Sequence, residues 1–403
     1  MPDPAAVGTI VIRFLITRIQ HLEIHTDLPA NSSSSVDEDE TVTMECVEYA
    51  EHSWLGDAIC LSLEDGRRIV AKTRPIALPN GLNLTYGEIN GLAGDFYGTT
   101  KPISDGIGAD EQMRRFVDAY RKLSTDTTRQ PGEAERILSV LQKEVDAVNK
   151  ALANHEDPSV AYSKLPDETC TFQKITSSRP SDDQPSYIGL ALINWDHFGE
   201  DARTTYNAGH AKALEEAAKG NLMDAYALNA FADHFLEDSF SAGHLRTPRR
   251  MLHGYKGVKD FLAKYMHDED CAIGLSVTNP AGESWQAFGD KRLLAKENKD
   301  NKERCLVAIQ ASADEVFQAY KDGKAPSPDS YKAWTHACTL DSAHGSQELA
   351  PLFKKDEYRR KDVTHRREWE FTQDWWVWST AMKIWKSGWW KYPITIDGPR
   401  KWF

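Results

Sequence analysis

The 403-residue chain lacks any C-x-x-C pair; its six cysteines (Cys46, Cys60, Cys170, Cys271, Cys305, Cys338) are scattered. That argues against a cysteine zinc knuckle and offers no disulfide framework, so reduced thiols are the simpler expectation. Long apolar runs are missing too. The best one, Thr9–Thr17, is interrupted by Arg13 and followed by Arg18, too short and too charged to span a bilayer. No basic leader with a small-residue cleavage site precedes it, which favours a cytoplasmic location, with non-standard secretion left open. Basic residues are not in surplus. The net charge of −13 opposes non-specific attraction to nucleic acid or anionic membrane, and stable nucleic-acid binding is not expected. No internal repeat is visible.

What remains can build a sizeable core. With 40% hydrophobic residues, the length suits one large domain or two smaller ones. Residues 1–80 read as strand and loop. Val7–Ile16 is rich in β-branched residues, Asn31–Glu40 is a Ser run followed by an acidic run, and Pro75–Gly81 is a connector. Ala58–Leu63 and Arg67–Arg74 read as strands joined at Glu64-Asp65-Gly66, a hairpin signal. Helical spacing then dominates, over Thr85–Tyr97, Asp110–Leu123, Pro131–Leu152, Asp201–Lys219, Asn221–Phe240, Gly257–Asp270, Asp290–Tyr320 and Val363–Lys391. Asn279–Gly289 is turn-rich. The expected fold is mainly α. A β-rich segment (1–80) packs on a helical body (81–362), and a Trp-rich C-terminal helix and tail (363–403) follows.

The chemistry gathers in the middle of the chain. Six of the 13 histidines lie between His197 and His267, where a uniform spread would put roughly two. His234 and Asp238 are four apart, so a helix puts them on one face, one turn from each other. Imidazole nitrogen and carboxylate oxygen both suit a borderline divalent cation. His244 follows Gly243, where the helix can end and a side chain can turn back toward the same pocket. Arg246, Arg249 and Arg250 come next. They are either a solvated helix-terminal cluster or a grip for phosphate oxygens, with Arg246 favoured for the second role. His253 reads as a surface residue, and His344 with Glu348 as a minor metal-pair candidate.

The run H-x-x-x-D-x-x-x-x-x-H at His234, Asp238 and His244 resembles the helical zinc signature of zinc-dependent phospholipases C and the fungal single-strand-specific zinc nucleases. Residues 84–88, 92–98, 196–199, 232–246 and 266–270 are similar to a bacterial and fungal branch described as phosphatidylcholine-hydrolysing phospholipase C. The resemblance spans about residues 84–290 and implies a helical bundle around a metal cluster. It implies that Asp95, His234 and Asp238 hold one zinc, with Asp238 bridging to a neighbour, and that Asp95 is the alternative base for a metal-bound water. His244 would hold a further zinc with His267. The family's acid four residues on is here Cys271, which makes Asp270 the nearest substitute, with Asp268 and Glu269 as rivals. The family's histidine shortly after the early aspartate is missing, leaving His197 or His210 for that role. A third zinc would need a freed N-terminal amine and an early histidine, for which this chain offers His21 and His25. Two zinc ions are therefore expected and at most three, with magnesium as the other divalent candidate.

The tail adds a lipid argument. Eight of the 12 tryptophans lie in 363–403, where basic residues outnumber acidic ones. Such a segment suits peripheral contact with a lipid surface, although Trp378, Met382, Trp385 and Trp389 also make a buried helical stripe. The leading expectation is a phospholipase C that hydrolyses phosphatidylcholine-like phospholipids or another lipid phosphate through a metal-activated water. Asp95, Asp238 and Arg246 are its catalytic candidates. Three alternatives stand beside it: a zinc nuclease or phosphomonoesterase on the same scaffold, a metal-dependent lyase or cyclase acting on an isoprenyl diphosphate, and a non-catalytic metal-stabilised module.

Overall fold

The computed structural model describes residues 49–162, 164–177, 183–250, 253, 258–345, 394–395 and 398–399. The chain opens with α1 (Tyr49–Ala58), the hairpin β1 (Cys60–Ser62) and β2 (Arg68–Val70), and the short pair β3 (Ile76–Ala77) and β4 (Asn83–Leu84). Helices follow: α2 (Tyr86–Leu92), α3 (Ala109–Ser124), α4 (Gly132–Ala153), α5 (Pro158–Tyr162), α6 (Thr169–Thr176) and α7 (Tyr187–Leu192). Then come α8 (Gly199–Ala218), α9 (Leu222–Asp238), α10 (Ala242–Arg246) and α11 (Val258–Ile273). A hairpin of β5 (Leu275–Thr278) and β6 (Ser284–Ala287) leads to α12 (Lys299–Asp322), α13 (Ala333–His336) and α14 (Leu340–Gly345). The fold is mainly α, as the helical spacing led us to expect.

The body is organised around α9. From Ala225 to Asp238 every side chain is buried, polar Asn229, Asp233, His234, Glu237 and Asp238 included, because the helix is packed by α2, α8 and α12. Small residues permit the close approach. A Cβ at Gly209 on α8 would lie 2.7 Å from the Ala232 Cβ and 2.2 Å from the Phe116 ring. Helix α2 begins with a capping box, in which the Glu88 amide donates to Thr85 Oγ1 (3.1 Å) and the Thr85 amide to Glu88 Oε2 (2.8 Å).

The expected hairpin forms, with Cys60 opposite Val70 and Gly66 at φ +82° in the turn. Residues 49–58 depart from the strand-and-loop expectation and form α1. That helix buries Glu51, His52 and Ser53 as well as Tyr49, Ala50 and Leu55, so it carries almost no one-sided apolar stripe to read. Its core is continuous with that of the helical body, running from Tyr49 to Ala337 without a break at residue 80. Asn279–Gly289 is less irregular than expected, because Ser284–Ala287 pairs with Leu275–Thr278. Asp290 precedes the helix it was expected to start; α12 begins only at Lys299. The strand expected at Val7–Ile16, the loop at Asn31–Glu40 and the Trp-rich helix at Val363–Lys391 lie outside the described residues.

Candidate metal centre

Seven elements, α9 itself among them, deliver nitrogen and oxygen donors around the C-terminal end of α9. Helix α9 supplies His234 and Asp238, α1 supplies His52, and the turn after α2 supplies Asp95. The 3-10 turn Asn194–His197 supplies His197. Helices α10 and α11 supply His244 and His267, and the loop after β6 supplies Asp290. These side chains fall into three groupings that could each hold an ion: His52 with His234 and Asp238, Asp95 with His197 and His234, and His244 with His267 and Asp290.

Four of the histidines share one arrangement. His52 Nδ1 is 2.5 Å from Glu237 Oε2, and Glu237 is held in turn by Asn90 Nδ2 (2.8 Å). His234 Nδ1 donates to the Asn90 carbonyl at 3.0 Å, and His244 Nδ1 to the His197 carbonyl at 2.9 Å. His267 Nδ1 is 3.0 Å from Asp268 Oδ1. A carbonyl can only accept, so for His234 and His244 the proton sits on Nδ1 and the Nε2 lone pair faces inward. An outer acceptor that fixes the tautomer in this way is the usual support of a metal-binding histidine.

The inward nitrogens meet carboxylates. His52 Nε2 is 3.9 Å from Asp238 Oδ1, and neither buried atom has a hydrogen-bond partner. His234 Nε2 is 3.9 Å from Asp95 Oδ2 and 3.8 Å from Asp238 Oδ2. His197 Nδ1 bonds Asp238 Oδ2 at 2.8 Å while its Nε2 is 3.9 Å from Asp95 Oδ1. In the last grouping Asp290 Oδ2 is 3.4 Å from His244 Nε2 and 2.8 Å from His267 Nε2, and Asp290 Oδ1 accepts from Ser241 Oγ at 2.6 Å. His244 Nδ1 lies 3.5 Å from Asp238 Oδ1, so Asp238 adjoins every grouping. Orphaned inward donors on an all-nitrogen and oxygen set fit a borderline divalent cation such as zinc.

Around His52, His197 and His234 the electrostatics favour the ligand form, while His267 is shifted the other way. Burial pushes His52 down to about 3, lowers His197, and holds His234 well below the usual histidine range. Neutral imidazole is the ligand form. Burial raises Asp238 to about 8. Asp290 goes the other way: burial opposes its ionisation, but His267 and His244 outweigh it and hold the carboxyl well below its ordinary value. Burial also opposes the charge on His267, and Cys271 and Asp290 overcome it. Gly94 closes one side at φ +64°; a Cβ there would lie 2.6 Å from His197 Cε1 and 3.0 Å from His234 Nε2.

Of the residues singled out from the sequence, Asp95, His197, His234, Asp238, His244 and His267 converge. His210 does not. It sits further along α8, its Nδ1 2.6 Å from Asn229 Oδ1 and its Nε2 3.4 Å from Glu315 Oε2, stacked on Tyr206. Asp270 does not either. Three residues after His267 it turns off the ligand face and binds Arg246 through two 2.6 Å contacts. That pairing engages the fork of Arg246 expected to grip phosphate. Arg249 is likewise buried on Asp260 and Asn194, and Arg250 pairs with Asp201 and Asp105. His52 and Asp290 are the donors that sequence reasoning missed; neither had a ligand-spaced partner nearby in the chain. No family model matches this chain, and no curated protein or solved structure does either.

Proposed function

We propose that the chain is a metal-dependent hydrolase of phosphoric esters, phospholipase C-like, acting on phosphatidylcholine-like phospholipid with zinc as its metal. One observation carries the reading: four buried histidines, each tied by one nitrogen to an outer acceptor, face the carboxylates of Asp95, Asp238 and Asp290. His52, Asp95, His197, His234 and Asp238 would hold one part of the metal cluster, and His244, His267 and Asp290 another. Divalent cations bound there would supply Lewis acidity toward a phosphodiester and ease deprotonation of water. The chain's own part is support and proton handling. Asp95, with its side chain 10% exposed, is more open than its neighbours Asp238, His234 and His197 and suits acceptance of a proton from water. A cavity of about 30 Å³, lined by Leu190, Phe231 and Phe235 and by polar Lys101, Asn194 and Asp196, reaches His197 with space for a water or two.

The test is metal content by mass spectrometry, then phosphocholine release from phosphatidylcholine by wild type and Asp238→Ala. Bound zinc and chelator-sensitive release that Asp238→Ala abolishes are expected. A chain that carries no metal, or releases phosphocholine equally with chelator present, refutes the proposal. A second reading, a metal centre that only stabilises the fold, is favoured by the depth of the site: His52, His234 and Asp238 are fully buried. Metal whose removal lowers stability, with no esterase activity on phosphodiesters or phosphomonoesters, selects that reading.

A further inference from the structure

Helix α3 carries Arg115, Asp118 and Lys122 at i, i+3 and i+7, so the three share one face. Beside that face runs the segment Thr99–Lys101, which begins four residues beyond Asp95. Three contacts pin the walls together. Arg115 Nη1 donates to the Pro102 carbonyl (2.9 Å), the Thr100 amide to the Asp183 carbonyl (3.2 Å), and Lys122 Nζ to Asp183 Oδ2 (2.6 Å). Between these segments lies a cavity of about 360 Å³. Small-ligand sites run from roughly 300 to 1,000 Å³. Thr99 and Lys101 also line the smaller cavity that reaches His197, so the two abut along this segment.

The walls restrict what can bind. Among the described residues none of the lining side chains is apolar, so an acyl chain or an aromatic ring would gain little by entering. Both signs of charge are present, four cations against three carboxylates. Arg115 is engaged by Glu111 (2.7 Å) and Lys122 by Asp183, so these two hold the walls. Arg121 is looser, 3.7 Å from Asp118. Lys101 is exposed and makes no ion pair among the described residues. On the negative side, burial opposes the ionisation of Asp126, but Thr128 and Arg129 outweigh it and hold the carboxyl down at about 2. A guest in this cavity therefore meets fixed negative charge next to two loosely held cations.

We propose that the cavity binds a zwitterion, a phosphate ester that also carries an ammonium group, with its phosphate on Lys101 and Arg121 and its ammonium toward Asp118 and Asp126. A lone anion or a lone cation would satisfy one set of charges and be repelled by the other, whereas a zwitterion satisfies both. The choice of phosphocholine as that zwitterion rests on the phospholipid reading given above. Six residues of chain span at most about 20 Å, so a headgroup docked at Lys101 waits within that distance of Asp95.

Calorimetric titration of the full chain in chelator separates this cavity from the metal centre. Phosphocholine is expected to bind, and more tightly than choline or inorganic phosphate. Lys101→Glu, at an exposed position, should weaken it about 10–100-fold, the loss that goes with one charged hydrogen bond. Arg67→Glu makes the same charge change in the β1–β2 turn, outside the lining, and should bind as wild type does. No phosphocholine binding in chelator, equal affinity for inorganic phosphate, or a Lys101→Glu variant that binds like wild type overturns the proposal. Sedimentation of the chelated chain with phosphatidylcholine vesicles distinguishes the sources, and either result supports the zwitterion site. Sedimentation that free phosphocholine competes away assigns the cavity to intact lipid, and binding of free phosphocholine alone assigns it to the released headgroup. Phosphocholine binding in a zinc-loaded chain that releases none from the lipid overturns the enzyme reading and leaves the cavity standing; release without such binding does the reverse.

Discussion

Asp238→Asn should make the metal-free protein more stable and the metal-loaded protein less so. Burial raises the Asp238 carboxyl to about 8, against about 3.9 for an unperturbed aspartate. Without metal at pH 7 the folded state keeps this group neutral, while the unfolded chain ionises it. The folded state therefore binds the extra proton between about pH 4 and pH 8, so this group's contribution to stability falls as pH rises through that window. From pH 3.9 to pH 7 is about three units, or about 4 kcal/mol against folding. Asparagine keeps the shape of the neutral acid without the ionisation. The metal-free variant should gain up to about 4 kcal/mol at pH 7 and nothing at pH 4. With metal the order reverses. The lost oxygen charge lies 2.8 Å from His197, 3.5 Å from His244 and 3.9 Å from His52, so the variant should respond little to zinc. Wild type at a thousandfold excess of zinc over Kd should gain about 4 kcal/mol. Urea unfolding followed by tryptophan fluorescence, with chelator and with zinc, at pH 4 and pH 7, measures every corner. A variant less stable than wild type in chelator at pH 7, or one that zinc stabilises as much as wild type, refutes the reasoning.

Two further substitutions probe the walls of the centre. Gly94→Ala puts a methyl group 2.6 Å from the His197 ring at φ +64°, and should cost about 1–3 kcal/mol and lower bound metal; unchanged metal content by mass spectrometry would contradict the placement of His197. Asp270→Asn removes the bidentate counter-ion of buried Arg246 and should destabilise by about 3–5 kcal/mol in urea melts, yet the folded fraction should bind as much zinc as wild type. A fall in zinc stoichiometry would return Asp270 to the ligand set.

Helix α9 was readable because its ligands recur at helical spacing and because histidine and aspartate at i and i+4 have few other uses together. The long amphipathic helices α3 and α4 were readable for the same reason, each having one apolar face. Helix α1 was not, since burial on nearly every side erases the periodicity that marks a helix, and His52 was lost with it. Asp290 was hidden differently. It lies on a loop, 23 positions after His267, and only the pairing of β5 with β6 folds it back onto that histidine. Between His197 and His210 spacing alone could not choose. The fold chose by distance, since several turns of α8 carry His210 away from the end of α9 toward Glu315. Asp270 attracted attention as the nearest acid to the expected position. One helical step short of the His267 face, it is spent on Arg246.

The charge pattern explains why such a site persists in a protein interior. Among the described residues the ion-pair partners of Asp238 and Asp290 are all histidines. Around Asp238, burial keeps His52, His197 and His234 neutral, so the carboxyl itself must hold a proton when no cation is present. Around Asp290, His267 takes that role as an imidazolium. Protons thus stand where cations would stand, and each ion taken up must displace them. Glu237, Asp268 and the carbonyls of Asn90 and His197 hold the rings in place in either state, because each bonds the nitrogen that faces away from the cluster. Little of the scaffold need rearrange when a metal enters, so the ordering cost is met during folding and the affinity of the ligands is left for the ion.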